Sequence, residues 1–186
     1  VAAFSEMDDR IRALLVGPGL GLVDAAALKA SCAVQCPLVL DGDALQGELV
    51  ALLAQRAEST VLTPHDGEWR RMAGTDDTDR LAATQAFAQA QQVTVVRKGP
   101  STVIADPSGS VRVVTSGSAA LATAGTGDVL AGAVTALLAR GYEPFDAATI
   151  AAHIHGMAGT RLGPGLVAGE VADLFPVVMG DLPAQR

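Results

Sequence analysis

The 186-residue chain sets 13 Lys and Arg against 20 Asp and Glu, a formal net charge of -7. That balance excludes a nucleic-acid partner and an acidic membrane surface, yet leaves room for a phosphorylated ligand held by local dipoles and one or two cations. Hydrophobic residues make up 49% of the chain but aromatics only 3%, so a core of Ala, Val and Leu in one domain over residues 1–186 is expected, with charges or glycines interrupting every membrane-length apolar run.

In chain order, Ala13-Leu14-Leu15-Val16 reads as a buried strand that runs into Gly17-Pro18-Gly19-Leu20-Gly21, with a helix over residues 23–33. Cys32 and Cys36 stand four apart, the spacing of a helical neighbour pair rather than a disulfide or zinc site. They read as small apolar core residues of a reducing, cytoplasmic protein. Pro37-Leu38-Val39-Leu40 is the next strand, ending in Asp41-Gly42-Asp43 before a helix over residues 44–54. Thr60-Val61-Leu62 follows, with Thr63-Pro64-His65-Asp66-Gly67-Glu68 at its exit and a short helix after it. A helix over residues 77–91 leads to Val93-Thr94-Val95-Val96. Strands joined by helices imply parallel pairing and a three-layer α/β fold with a mainly parallel sheet. The rhythm then changes: Thr102–Ala105 and Val111–Val114, joined by Asp106-Pro107-Ser108-Gly109, read as a β-hairpin. The last third is helical, over residues 127–140, 144–162 and 168–178. Its apolar surface suggests a homo-oligomer.

Each polar or glycine-rich loop, 17–21, 41–43, 64–68 and 98–99, follows the C-terminal end of a predicted strand, the edge at which open parallel sheets bind ligands. The glycines of 17–21 match neither a dinucleotide fingerprint nor a Walker A loop. Asp41 and Asp43 can reach magnesium through water, or Asp43 can cap the helix that follows. Pro64 stiffens its strand exit, Asp66 or Gly67 can cap the helix carrying Glu68, and His65 is placed to hydrogen-bond a ligand. Lys98 puts a cation beside Gly99. His153 and His155, two apart on a helix, face different ways and read as packing residues.

The sharpest feature is Ala122-Thr123-Ala124-Gly125-Thr126-Gly127-Asp128, which runs directly into a long apolar helix. Unpaired N–H groups and the helix dipole favour an anion there, and glycine lets backbone approach it. Asp128 beside that cradle is badly placed to bind phosphate. It is well placed to take a proton from a hydroxyl about to attack one, or to act as an ordinary cap.

The ordered set GPGLG, LDGDAL, LTPHDGEW, RKGPSTVIA, ATAGTGDVLAGAVTALLARG and AAHIHGMAG closely resembles the ADP/ATP-dependent NAD(P)H-hydrate dehydratases, over essentially all of residues 14–159. The resemblance implies a ribokinase-like fold and repair of hydrated NADH or NADPH, the S epimer, with Mg2+ and with ADP or ATP as co-substrate. It implies that Asp128 is the catalytic base, that Gly125, Thr126 and Gly127 form the anion hole, and that Gly19, Gly21, His65 and Asp128 contact the hydrate. It assigns the adenine nucleotide to Lys98, Gly99, Pro100, Ser101, Thr102 and Gly127. An NAD(P)H-hydrate epimerase, as a fused domain or a separate protein, is the implied partner. Two departures accompany it. The N-terminal βα region that family members usually carry is expected to be absent, and residues 115–120 lack the usual Asn-Pro pair ahead of the catalytic loop. The alternatives are a small-molecule kinase of the same superfamily, acting on a sugar, hydroxymethylpyrimidine or hydroxyethylthiazole, and an inactive nucleotide-binding remnant.

Overall fold

The structure, a computed structural model, describes residues 10–21, 25–47, 52–53, 56–74 and 78–181. Six strands lie side by side in chain order: β1 (Leu14–Val16), β2 (Leu38–Leu40), β3 (Thr60–Leu62), β4 (Thr94–Arg97), β5 (Thr102–Ala105) and β6 (Val111–Val114). β1 to β4 pair in parallel, with Leu15 opposite Val39 and Val39 opposite Val61, while β4–β5 and β5–β6 are antiparallel. Helical crossovers after β1 and β3 accompany the parallel part, and a tight turn produces the hairpin. In that turn the Asp106 carboxylate accepts from the Ser110 N–H at 2.9 Å, and Gly109 takes φ 89°.

Alternation along the strands divides the core. Leu38, Leu40, Leu62 and Val95 face one layer, with α1 (Ala25–Ser31), α2 (Asp66–Ala73) and α3 (Arg80–Gln91) contributing Leu28, Trp69, Met72 and Ala88. Val39, Val61, Val96 and Ile104 face the other, against α4 (Thr126–Ala139) and α5 (Pro144–Leu162). β2, β3 and β4 are buried throughout because both faces are covered. This is the three-layer α/β fold expected from the strand rhythm. A third cluster, of Ile154, Ala158, Leu166, Val171 and Val178, seats α6 (Ala168–Asp173) and α7 (Phe175–Gly180). Among the described residues, no helix is long and apolar enough to cross a membrane.

Several boundaries differ from the sequence pattern. The helix expected over 77–91 starts at Arg80, because Asp79 caps it by accepting from the Ala82 N–H. The one expected over 168–178 is two helices, since Pro176 in the first turn of α7 has no N–H to continue the ladder. After β2 comes a 3-10 turn, Gly42–Ala44, and much of the helix expected over 44–54 lies outside the described residues, as does Val23 of the helix expected over 23–33.

The two cysteines are not helical neighbours. α1 ends at Ser31, which leaves Cys32 in the following turn and Cys36 just before β2. Both are free thiols, and burial pushes both above the ordinary thiol range, so they are poor nucleophiles at neutral pH. Arg56 orders this stretch by donating to the carbonyls of Cys32, Val34 and Cys36.

Candidate functional site

The C-terminal ends of β1 to β4 meet at one edge of the sheet, and the loops singled out in the sequence lie along it. After β1, Gly17 turns the chain at φ 129°, and a Cβ there would sit 1.6 Å from the Asp41 carbonyl oxygen, so only glycine admits this approach. Asp41, at the end of β2, is 2% exposed. Its Oδ1 accepts from the Thr63 hydroxyl at 2.7 Å and from Lys98 Nζ at 2.8 Å. Lys98 Nζ also lies 3.6 Å from Glu68 Oε2. One ammonium thus joins two buried carboxylates, one at the end of β2 and one in the first turn of α2, an arrangement that neutralises charges too costly to bury alone.

The loop after β3 is built on a cap. His65 is the N-cap of α2: its Nδ1 accepts from the Gly67 and Glu68 N–H groups, and Glu68 Oε2 accepts from the His65 N–H at 2.7 Å. The cap is therefore His65, not Asp66 or Gly67. An accepting Nδ1 leaves Nε2 as the imidazole's remaining polar atom, on a side chain 54% exposed and 3.4 Å from Glu68 Oε1. Asp66 instead accepts from Arg80 Nη1 at 2.9 Å and from Arg97 Nε at 3.0 Å, while the Arg97 guanidinium lies 4.4 Å from the Trp69 ring centre.

α4 brings the fourth component. Gly125, at φ 86°, is its N-cap and offers no side chain to the first turn; the Thr126 N–H donates to the Thr123 carbonyl at 3.3 Å, while those of Gly127 and Asp128 are left open to an anion. A Cβ on Gly127 would lie 3.3 Å from Lys98 Nζ and 4.0 Å from Asp41 Oδ2. The cation therefore stands beneath the first turn. Asp128 follows on the exposed side, and among the described residues its carboxylate has no hydrogen-bond or ion-pair partner. Asp128 does not cap its own helix. An open carboxylate beside N–H groups and a half-buried cation can accept a proton while its neighbours hold a phosphoryl group.

Residues 115–125, which carry this turn, are fastened to α5. Gly156 and Gly159 bring the helix against Ser116 and Leu121 so closely that a Cβ on either would overlap them. The Ser116 hydroxyl donates to the His153 carbonyl at 3.1 Å, and the Thr160 hydroxyl to the Ser116 carbonyl at 2.7 Å. A small-residue helix face thus lets α5 pack directly on this segment.

The remaining expected residues are less gathered. Gly99 and Pro100 are exposed, Ser101 is half-buried, and Thr102 opens β5. Arg80 Nη2 grips the base of their loop through the carbonyls of Arg97 and Lys98. Gly19 is exposed with open space around it, and the Gly21 N–H donates to Asp43 Oδ2 at 2.8 Å. Asp43 is thus not the partner of Asp41: the carboxylate that shares Lys98 with Asp41 is Glu68, and the helix that Asp43 was expected to cap lies largely outside the described residues. Among the described residues, no group of three or more His, Cys, Asp and Glu is arranged to hold a metal ion. Glu68 and Arg80 were not singled out by the sequence. The E four residues after Pro64 was the available signal for Glu68, whereas Arg80 carries no motif.

His155 is 8% exposed, and its Nε2 lies 2.9 Å from the Thr126 carbonyl oxygen. Burial lowers its pKa from the ordinary 6.5, the Thr126 bond raises it, and Lys98 lowers it further. The unfolded imidazole therefore binds its proton more readily than the folded one. Stability is full above about pH 6.5 and falls as pH drops below it, by at most about 1.4 kcal/mol per pH unit for one proton. Melting curves at pH 7, 6 and 5 should show this decline, and His155→Gln should flatten it. Parallel pH dependences for the two proteins would refute the assignment.

A model of the NAD(P)H-hydrate dehydratase family matches residues 2–168. The bifunctional NAD(P)H-hydrate repair enzyme Nnr of Salinibacter ruber is 41% identical over 192 residues, covering 96% of this chain and 35% of that protein. The solved ADP/ATP-dependent NAD(P)H-hydrate dehydratase of Bacillus subtilis, co-crystallised with ATP and Mg2+, superposes with TM-score 0.82 at 31% identity, over 91% of this chain and 64% of that one. Ribokinase of Thermotoga maritima, at 19% identity, TM-score 0.62 and coverage of 94% and 61%, shares the fold alone. The chain spans about a third of the length of the bifunctional curated relatives it matches.

Proposed function

The chain belongs to the NAD(P)H-hydrate dehydratase family, and from that premise we propose that its cleft returns the S epimer of hydrated NADH or NADPH to NADH or NADPH at the expense of ADP or ATP. The observation that carries this reading is the placement of Asp128 at the open first turn of α4, with Lys98 beneath Gly127. Asp128 takes the proton of the ring hydroxyl, and that oxygen attacks the terminal phosphoryl group, releasing AMP or ADP. The N–H groups of Gly125 and Gly127 and the Lys98 ammonium receive the charge that develops, while the Thr126 N–H is held by the Thr123 carbonyl. The ring nitrogen's lone pair then breaks the carbon–oxygen bond, inorganic phosphate leaves, and a proton lost from the adjacent ring carbon restores the dihydropyridine.

His65 Nε2 and the loop of Gly19 and Gly21 border the hydrate, while the backbone of Gly99, Pro100, Ser101 and Thr102 holds the adenine nucleotide. Mg2+ usually binds through one or two carboxylates, retained waters and nucleotide phosphates. Asp41, whose Oδ2 takes no part in the Thr63 and Lys98 bonds, would hold it through water, and it would supply charge neutralisation at the phosphates. An epimerase interconverting the two hydrate epimers is the partner this activity calls for. Assembly as a homo-oligomer is read from exposed Val113, Tyr142, Val177 and Met179, and light scattering checks it.

The test is recovery of near-ultraviolet NADH absorbance from NADH hydrate, with and without ADP or ATP and Mg2+. Nucleotide-dependent recovery with one phosphate released per NADH is the expected result. A stable phosphorylated product from a sugar, hydroxymethylpyrimidine or hydroxyethylthiazole, with no recovery of NADH, would make the protein a kinase on the same machinery. Nucleotide binding without any turnover would make it a remnant.

A further inference from the structure

The histidine in α5 meets the anion hole from behind, through its backbone. Thr126 is the first residue of α4, and its carbonyl belongs to the same planar peptide as the Gly127 N–H. His155 Nε2 lies 2.9 Å from that carbonyl oxygen. The carbonyl has no hydrogen to give, so the imidazole is the donor, protonated on Nε2 and bare on Nδ1 when neutral. Both residues are buried, His155 at 8% and Thr126 at 4% exposed, where a hydrogen bond acts in a low dielectric. The Thr126 hydroxyl is turned away to the carbonyls of Leu121 and Thr123, at 2.6 and 2.8 Å, and takes no part in the site. Gly156, next to His155, has no room for a side chain against Ser116, so the imidazole is held at a fixed height along α4.

We propose that His155 is a positioning residue for the anion hole: its N–H bond to the Thr126 carbonyl fixes and polarises the Thr126–Gly127 peptide, making the Gly127 N–H a stronger donor to the phosphoryl group in flight. A donor on one end of a peptide raises the donor strength of the other, because hydrogen bonds in a chain polarise one another. Lys98 Nζ also stands near this peptide, 3.3 Å from where a Gly127 Cβ would lie. His155 thus acts through a backbone group and touches neither hydrate nor nucleotide. The inference rests on the proposed phosphoryl transfer at α4.

Two variants of the full chain separate this role from simple packing. His155→Leu keeps an apolar side chain of moderate size but no donor, whereas His155→Gln places an amide N–H near the Nε2 position. The Leu variant should lose about tenfold in kcat with the KM for ADP changed less than threefold, and Gln should recover most of the loss. In amide spectra, the Gly127 proton should move upfield in Leu and return toward the wild-type position in Gln. Loss of melting temperature without a change in kcat or in the Gly127 shift would overturn the proposal. If Leu does not fold, nitrogen-15 spectra of the wild-type imidazole decide: protonation on Nδ1 rather than Nε2 overturns it. If the wild-type chain repairs no hydrate, the Gly127 shift still tests His155, and the failure then belongs to the dehydratase reading.

Discussion

Asp128→Asn is expected to lower kcat for hydrate repair by about a thousandfold, in the range that loss of a general base produces. The substitution keeps shape and removes only the ability to take a proton. Because Asp128 is exposed and has no partner among the described residues, no ion pair breaks and no buried group is orphaned. The cost to folding is the interaction of one carboxylate with the α4 dipole, about 0.3–1 kcal/mol. The same charge opposes the nucleotide's phosphates, so ADP should bind the variant as tightly as wild type or more tightly. The informative result is therefore a split, with turnover lost and calorimetric ADP affinity held or improved. Retention of a tenth or more of kcat would remove Asp128 from the role of base. Parallel loss of turnover and affinity would make it a binding residue.

How much of this site was legible in the sequence depends on which force placed each residue. Gly125, Gly127 and Asp128 were legible because their signal is local: a glycine-rich turn followed by an apolar helix determines both the open N–H groups and the carboxylate's position. The edge of the sheet was legible for the same reason, since strand rhythm fixes which loops share an end. Pairing among those loops was not legible. Asp41 and Asp43 looked like a couple because they are two apart in sequence, yet the half-buried ammonium of Lys98, 57 positions from Asp41, claims the first, while Gly21 claims the second. Charge burial across strands decided that choice, and spacing carries no record of it. Glu68 was hidden inside a capping box, where a local role was sufficient explanation. His155 read as packing, which is half right: its ring is buried, but its polar atom reaches a backbone 29 positions away.

Gly17→Ala should be the most disruptive single-methyl change along this edge. A Cβ at that position would fall 1.6 Å from the Asp41 carbonyl oxygen, 2.7 Å from its carbon and 3.0 Å from the Ala44 Cβ, and φ 129° is itself hostile to a side chain. Asp41 has little freedom to retreat. Its N–H donates to the Val16 carbonyl, its carbonyl accepts from Ala44, and its carboxylate is bound to Thr63 and Lys98. Relief must come from displacing the β1 loop or the end of β2, at a cost of about 3 kcal/mol or more, the sum of backbone strain and lost packing. For a domain of this size, that lowers Tm by roughly 6–12 °C. Because Asp41 orients Lys98 beneath Gly127, turnover should fall as well, even below the melting range. Two other glycines calibrate the effect. Gly19 has φ 65° with open space around it, so alanine there meets only the left-handed backbone penalty of about 1 kcal/mol. Gly132, inside α4 with open space where a methyl group would stand, should become more stable as alanine by up to about 1 kcal/mol. Thermal melts of the three variants should therefore rank Gly132→Ala above wild type, Gly19→Ala slightly below it and Gly17→Ala far below. A Gly17→Ala protein that melts within about 3 °C of wild type, half the smallest expected shift, would mean that β1 and β2 do not approach at Asp41. The geometry that aims Lys98 at the anion hole would fall with it.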